Sequence, residues 1–176
     1  MNRCSLCPKL IYRRPIPPDG PRPSRLLFLG EAPHVDEDKT GIPFAGKTGM
    51  ELNNVYLPIL GLPRSEVCIS NACACSQPSY DNPTPEQALA CSSVHLAPLL
   101  AEVQPEIIVP MGAVACSLFG KINLNYDHGL PREGRWGGWR GVLWPTYHPS
   151  AGIHATAYMI PLMQDFHALK GFLAQL

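Results

Sequence analysis

Four short apolar runs punctuate the chain, at 25–30 (RLLFLG), 66–73 (EVCISNAC), 106–112 (EIIVPMG) and 141–148 (GVLWPTYH). Runs of this length, rich in branched and aromatic side chains, predict strands buried on both faces. Between them the period becomes helical, and helices are predicted over 47–60, 84–103, 113–119 and 155–176. In the second of these, Ala88, Cys91, Leu96, Leu99 and Leu100 share a face, and Thr84-Pro85-Glu86 reads as an N-cap with proline at the first helical position. In the last, Tyr158, Leu162, Phe166, Leu169 and Phe172 form an apolar stripe, and Pro161 either kinks the helix or marks its true start. Strands alternating with helices predict the α/β class: three α/β/α layers around a central, four-stranded, mainly parallel sheet.

Composition fits a folded chain, 45% hydrophobic and 16% charged. At 176 residues, one domain over 1–176 is expected. Residues 1–24 form its Cys-containing lead-in, proline-rich and basic, packed on the domain. Net charge is zero, so no global field draws the chain to nucleic acid. The charges are nevertheless unevenly spread. Arg3, Lys9, Arg13, Arg14, Arg22 and Arg25 face one acid, Asp19, in the first 25 residues, while Arg132, Arg135 and Arg140 interleave with Trp136 and Trp139. Basic side chains among aromatics suit a surface that tracks a phosphate backbone; a solvated loop is the other reading. No apolar run reaches the roughly 18 residues of a membrane span, and no apolar leader opens the chain. The expectation is a cytoplasmic, nucleoid-associated protein with no membrane partner.

In a parallel sheet, ligands bind beyond the carboxyl ends of the strands. Those ends carry Glu31, Ala32 and His34 after the first strand, Asn71 in the second, Gly112 after the third and His148 after the fourth. Glu31, Asn71 and His148 are therefore expected on one rim. Asp36, Glu37 and Asp38 follow closely, as a solvated helix start or as working acids.

Seven cysteines in such a chain point to metal or redox chemistry. Cys4 and Cys7 make a C-x2-C pair, but the second pair of a zinc ribbon is missing. Cys75 and Cys91 are candidates for the other ligands, with Cys73 competing with Cys75 on spacing alone. Residues 41–48 match the spacing of a phosphate-binding G-x4-GK-T loop. The loop lies eleven residues past the strand, however, and Pro43 has no N–H to offer a phosphate.

Four blocks resemble the iron–sulphur, family-4 type of the uracil-DNA glycosylase superfamily. They are Cys4–Cys7; GEAPHVDEDKTGIPFAGKTG at 30–49; NACAC with Cys91 downstream; and PTYHPS at 145–150. Their order spans nearly the whole chain. The resemblance implies a monomeric, monofunctional DNA-repair enzyme that hydrolyses the glycosidic bond of uracil in single- or double-stranded DNA. It implies a [4Fe–4S] cluster on Cys4, Cys7, Cys75 and Cys91, with zinc as the lesser alternative and Cys73 left to the core. A glycosylase for another damaged base, and an inactive DNA-binding relative, are the alternatives.

Within that resemblance Phe44 stacks on the base and Asn71 reads its edge, since an amide pairs a donor and an acceptor at once. His148 donates to the oxygen on which charge develops. Ala32 stands where better-known members of the superfamily carry a water-orienting aspartate. Water then falls to Glu31 or to the acidic cluster, with Glu37 first and Asp38 second. Lys47 meets a phosphate, Ile153 wedges into the duplex, and Arg140 flanks the DNA beside Trp136 and Trp139. His34 replaces the family's usual glycine, with three roles open: tightening uracil selection, fitting another base, or joining catalysis.

Overall fold

The computed structural model describes Leu6, Cys7 and residues 14–176. Five strands form one sheet: β1 (Leu26–Gly30), β2 (Cys68–Asn71), β3 (Ile107–Pro110), β4 (Arg132–Trp136) and β5 (Trp139–Leu143), in the order β2-β1-β3-β5-β4. The first three and β5 are mutually parallel, and β4 returns antiparallel to β5. The expected class therefore holds, but the sheet has five strands where four were predicted.

The extra strand belongs to the stretch read as basic surface. Trp136 pairs with Trp139 across Gly137 and Gly138, and Gly137 has φ +54°, so a two-residue turn joins β4 to β5. The predicted fourth strand starts two residues early and its ladder ends at Leu143. Beyond it the chain continues extended, bridging Met111 through Thr146. Pro145 and Pro149 cannot donate to a ladder there.

β1 is central and every residue in it is buried. Alternation splits its side chains between two cores. Leu27 and Leu29 pack with Ala88, Cys91 and Leu99 of α4 (Pro85–Val103) and with Val114 and Ala115 of α5 (Ala113–Ser117). Leu26 and Phe28 pack against the opposite layer. That layer comprises α2 (Lys47–Glu51), a π-type turn over Leu52–Tyr56, α3 (Leu57–Leu60) and α8 (Met159–Leu173). Phe28, Tyr56 and Phe166 meet there ring to ring.

The predicted helix starts hold where the chemistry was explicit. Thr84 accepts the Gln87 N–H while the Gln87 side chain caps Thr84, closing a capping box. Pro161 lies in the first turn of α8 after a 3-10 turn over Thr156–Tyr158, so it marks the start and not a kink. Three short helices were not predicted: α1 (Val35–Thr40), α6 (Leu124–Asp127) and α7 (Pro149–His154).

Residues 16–19 lie along the edge of β2. Asp19 and Ile69 exchange backbone hydrogen bonds of 2.9 and 2.8 Å, and the Ile16 N–H donates to Ala74. An otherwise open sheet edge is thereby covered. Among the described residues no helix is long and apolar enough to cross a membrane.

Candidate active site

A cleft of about 340 Å³ opens at the carboxyl ends of the parallel strands. Glu31, Ala32, His34, Glu37, Phe44, Lys47, Asn71 and His148 all line it. Two glycines let these groups approach so closely. A Cβ on Gly30 would lie 2.6 Å from the Phe44 ring and would meet Asn71 Oδ1. A Cβ on Gly112 would lie 2.5 Å from Glu31 Oε1 and 3.2 Å from His148 Cβ, and Gly112 itself has φ +91°. Substitution of either would disturb the site through space, and at Gly112 through the backbone as well.

Glu31 Oε1 accepts the Val114 N–H at 3.0 Å, in the first turn of α5. Burial pushes the Glu31 carboxyl above its usual range, and the Val114 bond pulls the other way. Phe44 is buried although its φ is +55°, a left-handed conformation that few side chains adopt. Its ring lies 5.6 Å from that of His148, tilted by 40°. Asn71 is in register with Gly30, and its Oδ1 is buried without a hydrogen-bond partner.

His148 caps α7 with its own ring. Nδ1 accepts the Ser150 N–H at 3.4 Å and lies 2.8 Å from Ser150 Oγ. Burial lowers the imidazole to about 4, so it is neutral at neutral pH. With Nδ1 accepting, the ring hydrogen belongs on Nε2. The strand end that carries His148 is braced from below. Asp165, 3% exposed, accepts from Thr146 Oγ1 at 2.6 Å and lies 2.7 Å from His128 Nδ1.

Of the three clustered acids Asp36 is exposed, whereas Glu37 and Asp38 are held by other groups. Glu37 is buried, with Oε2 accepting the His34 N–H at 3.0 Å and Oε1 accepting the Ala45 N–H at 3.1 Å. It fastens α1 to the loop that carries Phe44. Asp38 Oδ2 accepts from Ser76 Oγ at 2.6 Å, beside Cys75. His34 packs against Tyr80, ring centroids 5.1 Å apart, in the cleft wall.

Lys47 is exposed at the first turn of α2, at the cleft, and Ile153 is 41% exposed on α7. Arg140 is not brought to this rim. Val142 is in register with Ile107, at the start of β3, so Arg140, paired with Arg135 in the β4–β5 hairpin, lies at the amino end of β5. Trp139 Nε1 donates there to the Pro105 carbonyl at 2.7 Å, and Trp136 packs on Phe119. Parallel strands carry residues 140 and 148 to opposite ends, so the cleft and Arg140, expected beside the same DNA, are set apart.

Cys7, Cys73, Cys75 and Cys91 line one small cavity, while Cys4 lies outside the described residues. Cys91 Sγ accepts the Ala74 N–H at 3.3 Å and a hydrogen bond from Cys73. These donors bring Cys91 down to about 7, whereas the bond to Cys91 and burial push Cys73 far up. The same donors favour the thiolate form of Cys91, while Cys73 packs within the core. Among the described residues no three Cys, His, Asp or Glu groups close around a single ion. A set of cysteine thiols around one cavity fits a thiolate-held metal centre, iron–sulphur or zinc.

Sequence reasoning missed Tyr80, Ser150, His95 and the Asp165–His128 pair. His-Pro-Ser as a helix start could have revealed Ser150, and the four-residue step from Cys91 could have revealed His95.

Residues 17–166 match the model of the family described as the uracil DNA glycosylase superfamily. The chain is 36% identical to the type-4 uracil-DNA glycosylase of Thermotoga maritima, across 98% of this chain and 91% of that protein. It is 32% identical to the type-4 enzyme of Saccharolobus solfataricus, across 97% of this chain and 82% of that one. A type-5 uracil-DNA glycosylase of Pyrobaculum aerophilum is 28% identical across 84% of this chain.

Proposed function

Because the chain belongs to the uracil DNA glycosylase superfamily, we propose that it removes uracil from DNA by hydrolysing the N-glycosidic bond, leaving an abasic site. One observation carries this reading: Asn71 Oδ1, buried and unpartnered, lies beside Phe44 and within the cleft that holds His148. A buried acceptor without a partner is costly, and a base edge would satisfy it.

The base has to leave the stack to reach such a cleft. Phe44 offers the stacking surface. Asn71 accepts from N3–H and donates from its amide nitrogen to O4. Bond cleavage leaves positive character on the sugar and negative charge on the base. His148, neutral and with its hydrogen on Nε2, donates to O2 as that charge grows, and Ser150 fixes the tautomer from the other side of the ring. Ala32 can hold no water through its side chain. Glu37 fits the role of a clamp, because both its oxygens already accept backbone N–H groups. Water orientation is therefore assigned to Glu31, which keeps Oε2 for the task while Val114 holds Oε1. Lys47 and Ile153 stand where the strand would pass, Lys47 toward a phosphate and Ile153 toward the vacated stack.

Cys4, Cys7, Cys75 and Cys91 are assigned to a [4Fe–4S] cluster. Bound there, it would tie the lead-in, the loop after β2 and α4 together, with no part in the hydrolysis. Cys73 is assigned to the core as a hydrogen-bond donor to Cys91.

The test is an oligonucleotide with a single uracil, single-stranded and in duplex. Cleavage should follow alkali treatment and should be absent without it; no alkali-labile site on either substrate would overturn the reading. Oligonucleotides carrying other damaged bases address the second reading, a different target base. The His34–Tyr80 wall, which narrows the base cleft, favours testing it.

A further inference from the structure

Among the described residues, two buried side-chain polar atoms have no hydrogen-bond partner: Asn71 Oδ1 and His95 Nε2. The first belongs to the base cleft. The second does not. His95 lies on α4 four residues after Cys91, one helical turn along the same face. Its ring lines the cavity walled by Cys7, Cys73, Cys75 and Cys91.

Four cysteines wall that cavity, beside Gln77 and Gln87. Thiolate and sulphide sulphurs accept hydrogen bonds and do not donate them, so a ring nitrogen turned toward them must carry its hydrogen. His95 also borders a second cavity, behind Asn71, whose carboxylate belongs to Glu102. Glu102 is already paired with Arg22 at 3.0 Å, and Asn71 Oδ1 is assigned to the base, so the cysteine cavity is the side on which a bound cluster would bring new acceptors. Cys91 already receives the Ala74 N–H and a bond from Cys73, so a shell of donors around the sulphurs is partly built.

We propose that His95 is an outer-shell positioning residue for the iron–sulphur cluster, its Nε2–H donating to a cluster or cysteinyl sulphur. The inference rests on the cluster assignment above. In either charge state the ring can present this hydrogen, so the bond does not depend on titration. Donors to the sulphurs strengthen the hold on the metal and favour the reduced, more negative state of the cluster. His95 thus serves the persistence and potential of the cluster and is separate from base excision.

The experiment compares wild type, His95→Leu and His95→Gln, purified without air with their clusters in place. Iron and sulphide content, the reduction potential by voltammetry without DNA, and the rate of iron release to a chelator are measured, with thermal melting as the folding control. In His95→Leu, iron release should quicken by roughly tenfold or more, the usual cost of losing an outer-shell partner, and the potential should become more negative. His95→Gln places an N–H near the same spot and should restore most of both. A His95→Leu protein that folds normally, with wild-type release rate and potential, overturns the inference while leaving the cluster standing. If both variants lose iron from the cluster and its spectrum changes alike, His95 is a ligand, and the outer-shell role is overturned. If the wild type itself carries neither iron nor sulphide, the cluster assignment falls first and this inference with it.

Discussion

Two polar groups lie buried on either side of His148, and they differ in whether their hydrogen bonds close. On the inner side Asp165 accepts from Thr146 and meets His128, while the Asp165 carbonyl accepts from Trp144 Nε1. On the cleft side Asn71 Oδ1 has no partner, and Glu31 is held through Oε1 by the Val114 N–H. The closed set ties α8 to the segment that presents His148. The open set faces the ligand. Buried polarity alone marks neither function nor stability; the state of its bonds separates the two.

The sharpest way to break this comparison is to remove Asp165. Asp165→Ala strands Thr146 and His128 and should lower stability by about 3–5 kcal/mol, the usual cost of breaking a buried pair. Urea unfolding measures it. A loss under about 1 kcal/mol would mean that the closed set is not a brace. His148→Ala should do the converse, cutting kcat by about 10²–10³ as one oxyanion donor is lost, while loss of its cap on α7 costs only about 1 kcal/mol of stability.

The pH dependence of His148 sharpens the same contrast. Its imidazole titrates near pH 4 in the folded protein but near 6.5 once unfolded. The unfolded chain therefore binds the extra proton first, so this residue makes stability fall as pH drops from about 6.5 to about 4 and adds nothing further below that. Ring ¹⁵N shifts should show Nε2–H and an inflection near pH 4; an inflection near 6.5 would remove the neutral donor. Next in size is Asn71→Ala. It should cost roughly 1–3 kcal/mol in kcat/KM on uracil-containing DNA, yet leave stability nearly unchanged, because its orphaned oxygen has no bond to lose.

The open set was legible in the sequence and the closed set was not. Glu31, Asn71 and His148 each end an apolar run, and parallel strands carry such ends to one rim by topology alone. Asp165 sits within a helical stripe whose neighbours are apolar, and only the approach of Thr146 from another element shows what it does. What holds Glu37 was hidden for a related reason. Its role as a clamp depends on the Ala45 N–H, eight residues on, meeting the side of the carboxyl that His34 leaves free. The hairpin of β4 and β5 was hidden by reading the tryptophans and arginines as a surface. Gly137-Gly138 between alternating residues carried the turn signal all along.

The smallest expected effect tests which end of the sheet meets DNA. Lys47 and Arg140 are both exposed cations, and both were expected beside the DNA. The register separates them: Lys47 starts α2 at the cleft, whereas Arg140 precedes the first paired position of β5 on β3. A phosphate contact releases counterions, so its loss weakens binding evenly across sequences and makes the slope of log K against log salt shallower by about one unit. Lys47→Ala should show that change in fluorescence anisotropy titrations with abasic or uracil-containing strands. Arg140→Ala should leave the slope where it was, because the parallel sheet holds that charge a full strand length away from the rim. Equal slopes for the two variants would mean that the bound strand wraps past β5, and the cleft would then be one part of a longer path.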